Sequence, residues 1–367
     1  MTSKSEHCIA APTAAAPVAD RASATLPVDD GPENRETHLV RVEHLVKHFI
    51  VRSRGPRQSR HAVVHAVDDV SFHLSRGETL GLVGESGSGK STVARCVARL
   101  YDLTSGRVIF DGHDISGLDR KQLRPYRPRM QIVFQDPYSS LNPRRRVGAT
   151  IAEPLVVHRV AAGAELRQQV DHLMAIVGLN PEHFNRFPSQ FSGGQRQRIG
   201  VARALALRPD LVICDEPVSA LDISIRAQIV NLLADLQTEL GLTYLFISHD
   251  LSVIRHVSDR IAVMYLGQIV ETAPKSELFE QPRHPYTYAL LEAAPVPDPA
   301  ARRKQPVPAP GDIPSAIDPP SGCRFRTRCP RAQARCAEEV PALVARLGDA
   351  DHHMSACHFP LARGERP

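Results

Sequence analysis

The segment Gly84-Glu85-Ser86-Gly87-Ser88-Gly89-Lys90-Ser91 narrows the folds open to this chain more than any other stretch. An apolar run, Leu80–Val83, precedes it, and a helical run containing Thr92-Val93-Ala94-Arg95-Cys96-Val97 follows. Glycines let the backbone curl until its N–H groups face a phosphate, and the helix behind adds the positive end of its dipole. At this Walker A spacing Lys90 bridges the β- and γ-phosphates of a nucleotide, and the Ser91 hydroxyl ligates Mg²⁺. A strand before and a helix after the loop set it apart from an incidental Gly-rich turn. Every residue from Gly84 to Thr92 is therefore expected at a site for a nucleotide and Mg²⁺.

A second segment, Leu211-Val212-Ile213-Cys214-Asp215-Glu216, is an apolar strand that delivers two carboxylates at its end. Asp215 suits the Mg²⁺ shell, usually through water, and Glu216 is placed to polarise a water that attacks the γ-phosphate. Downstream of a phosphate-binding loop, such a pair points to hydrolysis rather than to binding alone. Gln131–Phe134 and Tyr244–Ile247 read as further buried strands, apolar and bounded by turn or polar residues. Strands alternating with amphipathic helical stretches predict an α/β layered domain around a largely parallel sheet.

Three further pieces stand in a set order around these strands. Ser192-Gly193-Gly194-Gln195 lies 23 residues before Asp215 and opens a helical run, Arg196–Leu207. Small residues and a hydroxyl at a helix N-terminus form a second anion site. Gln135 follows the strand ending at Phe134, and His249 follows the strand ending at Ile247. Each is weak alone, since a histidine after a strand is more often structural; in this order they form a set.

That set resembles the ATP-binding cassette (ABC) family over roughly Leu39 to Thr272, on a P-loop NTPase core with a mixed sheet flanked by helices and a helical subdomain. The resemblance makes Ser192-Gly193-Gly194-Gln195 the signature motif, Gln135 the Q-loop, Ser219-Ala220-Leu221-Asp222 the D-loop and His249 the switch histidine. It implies two cassettes packed head to tail, so that Ser192 and Gly193 act on nucleotide held by the other subunit. It implies that Glu216 is the catalytic base, that His249 holds the γ-phosphate, and that Gln135 senses Mg²⁺ and water. Phe49 stands where the family places an aromatic that stacks on adenine; a core phenylalanine is the competing reading, because a basic insertion, Arg52–Arg60, follows it. Within the family the chain is most similar to ATPase subunits of dipeptide and oligopeptide importers. Val133 to Pro143, His284-Pro285-Tyr286-Thr287, Gly322-Cys323-Arg324-Phe325 and Arg328-Cys329-Pro330 carry that likeness. It implies a heterodimer with a second ATPase subunit, two transmembrane permease subunits and an extracytoplasmic peptide-binding protein. It places the chain peripherally on the cytoplasmic face of the inner membrane. Nickel-chelate and glutathione importers share these features. In the family the helical region Val147–Leu179 receives a permease helix; the preceding Arg144-Arg145-Arg146 reads as a solvated face or as a lipid or permease contact.

Composition and charge bound the rest. Lys+Arg 45 against Asp+Glu 40 leaves a net +5, too small a surplus to argue for a nucleic-acid partner. With one Walker A loop, no heptad run and no basic domain, a cassette acting on DNA or ribosomes is disfavoured. Apolar runs such as Leu242–Ile247 fall far short of the ~20 residues of a spanning helix. No N-terminal segment pairs a basic region with an apolar core and a small-residue cleavage site, so a cytosolic chain is expected. Residues 1–37, rich in Ala, Pro, Ser and Thr, are expected as a disordered tail, 38–272 as the ATPase domain, and 273–367 as a Pro-rich and Cys-rich extension. The extension holds 12 prolines between Pro274 and Pro320, and a helix is expected over Tyr286–Ala294. Four of the seven cysteines, Cys323, Cys329, Cys336 and Cys357, crowd into the last 45 residues. In a reducing compartment such a cluster reads first as a metal site. The spacing Cys-x5-Cys-x6-Cys-x20-Cys lacks the tight pairs usual for zinc. Four thiolates suffice for a [4Fe–4S] cluster, zinc and unmetallated thiols being the other readings, and the peptide-importer resemblance points to the cluster.

Overall fold

The computed structural model describes residues 38–54, 59–136, 140–293, 311–345 and 352–366. The expected disordered tail, 1–37, the side chains of the basic insertion and the proline-rich stretch 294–310 lie outside the described residues.

The chain opens with two long strands, β1 (His38–Arg54) and β2 (Ser59–Ser75), paired antiparallel. Val40 and Val42 on β1 and Val70 and Leu74 on β2 are at most 1% exposed, the two-residue period that turns one face of a strand inward. Strands β4 (Ser105–Phe110) and β5 (His113–Asp114) complete a small antiparallel sheet, in the order β2-β1-β4-β5. The main sheet is built from β3 (Thr79–Val83), β6 (Met130–Val133), β7 (Leu211–Asp215), β8 (Thr243–Ser248), β9 (Arg260–Tyr265) and β10 (Gln268–Pro274). The short β11 (Val344–Ala345) and β12 (Met354–Ser355) join it, giving the order β11-β12-β10-β9-β3-β8-β7-β6. From β9 to β6 neighbouring strands run parallel, and the β10 end is antiparallel. β3, β7 and β8 are buried along their whole length, because both faces of a parallel sheet are covered and the sequence must be apolar throughout.

Successive residues of these strands feed two separate cores. Leu80, Leu82, Leu211, Ile213, Leu245 and Ile247 pack with α1 (Lys90–Val97) and the antiparallel sheet. Val212, Cys214, Tyr244 and Phe246 face the other way. There they meet α2 (Val147–Val157), α3 (Gly163–Ile176), α4 (Gly193–Leu205), α5 (Ile223–Leu240) and α6 (Leu251–Val257). The main sheet is thus the middle of three layers. The expected helix after Ser192 begins at Gly193 and ends at Leu205.

The C-terminal extension grows out of this body. The expected division after Thr272 falls inside β10, and β12 pairs with β10 through Glu271 and Thr272. Two short helices follow, α7 (Lys275–Glu280) and α8 (Pro285–Glu292), then α9 (Arg335–Glu338), which carries Cys336. Helix α8 covers most of the expected Tyr286–Ala294; Pro285 sits in its first turn and His284 Nδ1 caps it by accepting from Tyr286 N–H at 3.1 Å, which suits proline's missing donor. Leu278, Tyr286 and Phe325 belong to the same apolar cluster as Phe246 and Tyr265 of the main sheet. Phe325 is 1% exposed, with its ring 5.3 Å from both Tyr265 and Tyr286.

Because that core is shared, Phe325→Ala should lower the unfolding free energy of the whole chain by about 3–5 kcal/mol. Chemical denaturation followed by circular dichroism should show the main transition moving. A separate early transition with the body unmoved would contradict a shared core.

Candidate active site

The loop between β3 and α1 curls in a way only glycine permits at Gly89. Its φ is +103°, and a Cβ there would lie 2.1 Å from the Ala66 carbonyl oxygen. Lys90, 4% exposed, turns back over the loop and donates to the carbonyls of Gly84 at 2.7 Å and Glu85 at 2.8 Å. Burial lowers its pKa, while the carboxylates of Glu216, Asp215 and Glu85 act the other way. Ser91 Oγ donates to Asp215 Oδ1 at 2.7 Å, tying the loop to the end of β7. Asp215 is 2% exposed, and desolvation raises its carboxyl pKa against the lowering effect of that hydrogen bond. The Asp215 carboxylate and the Ser91 hydroxyl bring two oxygen ligands together, the kind of donor Mg²⁺ takes.

Glu216 follows at the strand end with φ +50°, a left-handed turn unusual outside glycine. Its N–H donates to the Ile247 carbonyl of β8 at 3.0 Å, which holds the turn. Its side chain receives residues from the strands on either side. Gln135, beyond the end of β6, donates from Nε2 to Glu216 Oε2 at 3.0 Å. His249, beyond the end of β8, brings Nδ1 to 3.1 Å of the same oxygen. The order β3-β8-β7-β6 therefore sets the phosphate loop, His249, the Asp215–Glu216 pair and Gln135 side by side along one edge of the sheet, where α/β sheets place their ligands.

The Ser192–Gln195 motif is held elsewhere. Ser192 Oγ accepts from Gln195 N–H at 3.3 Å, and Gln195 Oε1 accepts from Ser192 N–H at 3.0 Å. This capping box satisfies the first turn of α4. A Cβ on Gly194 would come 2.3 Å from the Ile225 side chain of α5, which packs directly on the α4 backbone there. Ser192, Gln195 and Asp222, the last at the N-cap of α5, are exposed. Among the described residues no hydrogen bond joins this motif to Gly84–Ser91. Phe49 is half-buried, its ring edge-on to Tyr101 at 5.5 Å with Lys47 Nζ 5.0 Å from its centre.

In the extension, Cys323, Cys329, Cys336 and Cys357 line one small cavity together with His284 and Phe325. Burial pushes the Cys323 thiol up to about 11 and that of Cys357 up to about 12. His284 is 1% exposed, burial lowers its pKa to about 4, and its Nε2 has no hydrogen-bond partner. Among the described residues, the only group of three or more potential metal ligands gathered within 4.8 Å is His48, His65 and Asp68. Arg324 already pairs with that aspartate.

One set of contacts gave no signal in the sequence. Glu85 in the phosphate loop is gripped by Arg328, at 2.8 and 3.2 Å, from 243 residues away. Tyr286 Oη accepts from Glu85 N–H at 2.9 Å. Nothing in the sequence gave either partner a link to the loop.

Comparison with known proteins shows the family. Residues 67–219 match the ABC transporter family and residues 270–336 match the oligopeptide/dipeptide transporter C-terminal region. A probable peptide ABC transporter ATP-binding protein, y4tS of Sinorhizobium fredii, is 54% identical over 87% of this chain and 89% of its own. The oligopeptide transport ATP-binding protein AppF of Bacillus subtilis is 50% identical over 89% of this chain and 98% of its own. Among solved structures, the dimeric ATP-binding cassette MJ0796 bound to ADP and Pi is 29% identical, with a TM-score of 0.57 over 64% of this chain and 98% of that one. Structure and relatives together identify the chain as a member of the ABC transporter ATPase family, in the branch that carries an oligopeptide/dipeptide transporter C-terminal region.

Proposed function

We propose that this chain drives peptide uptake by hydrolysing ATP at the sheet edge bearing Lys90, Asp215 and Glu216. The single observation that carries the reading is the meeting of Gln135 and His249 on one oxygen of Glu216, beside the Ser91–Asp215 hydrogen bond. Lys90 would meet the β- and γ-phosphates, with Ser91, Asp215 and Gln135 around Mg²⁺, which supplies charge neutralisation at the transferring phosphoryl group. Glu216 would orient the attacking water and accept its proton. Gln135 and His249 hold the Oε2 side of that carboxylate, leaving Oε1 for the water. Phe49, half-buried beside Tyr101, would offer its face to adenine.

The exposed Ser192, Gln195 and Asp222 suit a second cassette packed head to tail, most simply a heterologous subunit. No described helix is long and apolar enough to cross a membrane. The likeness to peptide-importer ATPase subunits supports work at the cytoplasmic face of the inner membrane, with two permease subunits and an extracytoplasmic binding protein. The names of the relatives support peptides as cargo.

The four cysteines line one cavity and are spaced without the tight pairs usual for zinc, which supports a [4Fe–4S] cluster as the group they would hold. Because His284 Nδ1 accepts from Tyr286, its unpartnered Nε2 carries the proton and would donate a hydrogen bond to sulfur in the same cavity. Such a cluster would staple an extension whose own apolar core is small.

Glu216→Gln keeps the side-chain shape and removes the base, so ATP turnover should fall about 10²–10⁴-fold with ATP binding retained. Turnover within a few-fold of wild type would contradict the assignment. In cells the same variant should lose uptake of labelled dipeptides or oligopeptides. Intact peptide uptake with lost nickel-chelate or glutathione uptake would move the cargo.

Anaerobically purified protein should contain iron and acid-labile sulfide, and Cys329→Ser should lose both. A colourless protein holding zinc, or no metal, would refute the cluster.

A further inference from the structure

Glu85 is the crossing point between the phosphate loop and the C-terminal extension. All of its polar groups are committed. Its carbonyl accepts from Lys90 Nζ at 2.8 Å and from Ser88 N–H at 3.2 Å. Its N–H goes to Tyr286 Oη. Its carboxylate takes both terminal nitrogens of Arg328, the two-pronged geometry that fixes direction as well as distance.

Arg328 has few alternatives. It is 7% exposed, enclosed by Tyr265 and Phe325, whose ring centres lie 5.9 and 6.0 Å from its guanidinium. A guanidinium in such a box is costly unless paired, and Glu85 is the carboxylate it meets. Tyr286, 1% exposed, is wedged against Tyr265 with ring centres 4.6 Å apart. The two residues that hold Glu85 are thus themselves immobilised, and both belong to the extension.

We propose that Arg328 and Tyr286 are positioning residues for the phosphate-binding loop, fixing Glu85 and through its carbonyl Lys90, so that ATP affinity depends on the C-terminal extension being docked. The proposal rests on assigning Gly84–Ser91 to the nucleotide. It gives the extension a part in the ATPase cycle: whatever loosens the segment around Cys329, one residue beyond Arg328, loosens the loop that holds the phosphates.

The test uses the full-length chain. Arg328→Met keeps the length and apolar fit within the aromatic box and removes the charge; Arg328→Lys keeps a charge that cannot grip both oxygens. ATP affinity by equilibrium binding and KM for ATP should weaken about 5–20-fold in Arg328→Met, in the usual range of coupling between sites. The kcat should stay within about twofold, since Gln135, Glu216 and His249 hang from other strands, and Arg328→Lys should recover part of the loss. Arg328→Met combined with Glu85→Gln should bind ATP no more weakly than the poorer single variant. A folded Arg328→Met with unchanged ATP affinity and KM would overturn the proposal. Should that variant fail to fold, Tyr286→Phe removes one hydroxyl only; a two- to fivefold weaker affinity supports the proposal and an unchanged one overturns it. Wild-type protein that bound no ATP would instead overturn the nucleotide assignment beneath it.

Discussion

The candidate active site depends on the hydrogen-bonded order of four parallel strands. Val83 is level with Ser248, Asp215 with Ile247, and Val133 with Cys214, so three consecutive pairings bring four strand ends to one height. The loops that leave those ends then have little choice about what they meet. Gln135 and His249 flank Glu216 because β6 and β8 flank β7. Ser91 reaches Asp215 because α1 starts beside the same edge. A slip of one residue in any pairing would turn inward-facing side chains to the opposite layer. The two separate cores, each fed by alternate residues of the same strands, penalise that slip from both sides.

The electrostatics follow from burial at that edge. Asp215 and Lys90 are both desolvated, and each is pushed toward its neutral form. Their mutual proximity opposes the push; Glu216 opposes it too for Lys90 but adds to it for Asp215. Such a site favours a ligand that brings both negative charge for Lys90 and positive charge for Asp215, as a nucleotide with its Mg²⁺ does. The extension adds a second ion pair at the mouth of the loop, Glu85 with Arg328, and in doing so ties the chain's last quarter to its first.

What could be read from sequence was what is local. Gly84–Ser91 and Leu211–Glu216 carry their chemistry in consecutive residues, and the flanking apolar runs are short enough to recognise as strands. Gln135, His249 and Ser192 could be picked out only as a set, through family likeness. The antiparallel sheet was not legible as a separate layer: β1 departs from simple register at His38/Val40, Val42/Leu45, Leu45/Lys47 and Lys47/His48, which breaks the alternation that marks a strand. The docking of the extension was hidden because it rests on scattered single residues, such as Tyr286, Phe325 and Arg328, and on a two-residue strand. No spacing rule links Glu85 to a residue as distant as Arg328.

The central claim is that Glu216, His249 and Gln135 act as one unit through a single carboxylate oxygen. Comparing ATP turnover of Glu216→Gln, His249→Ala and the double variant, each with its ATP affinity measured, tests it most directly. Groups that work as a unit lose activity non-additively, so the double variant should be no more than a few-fold slower than the worse single one. Losses that multiply in full would show two independent contributions and contradict the account.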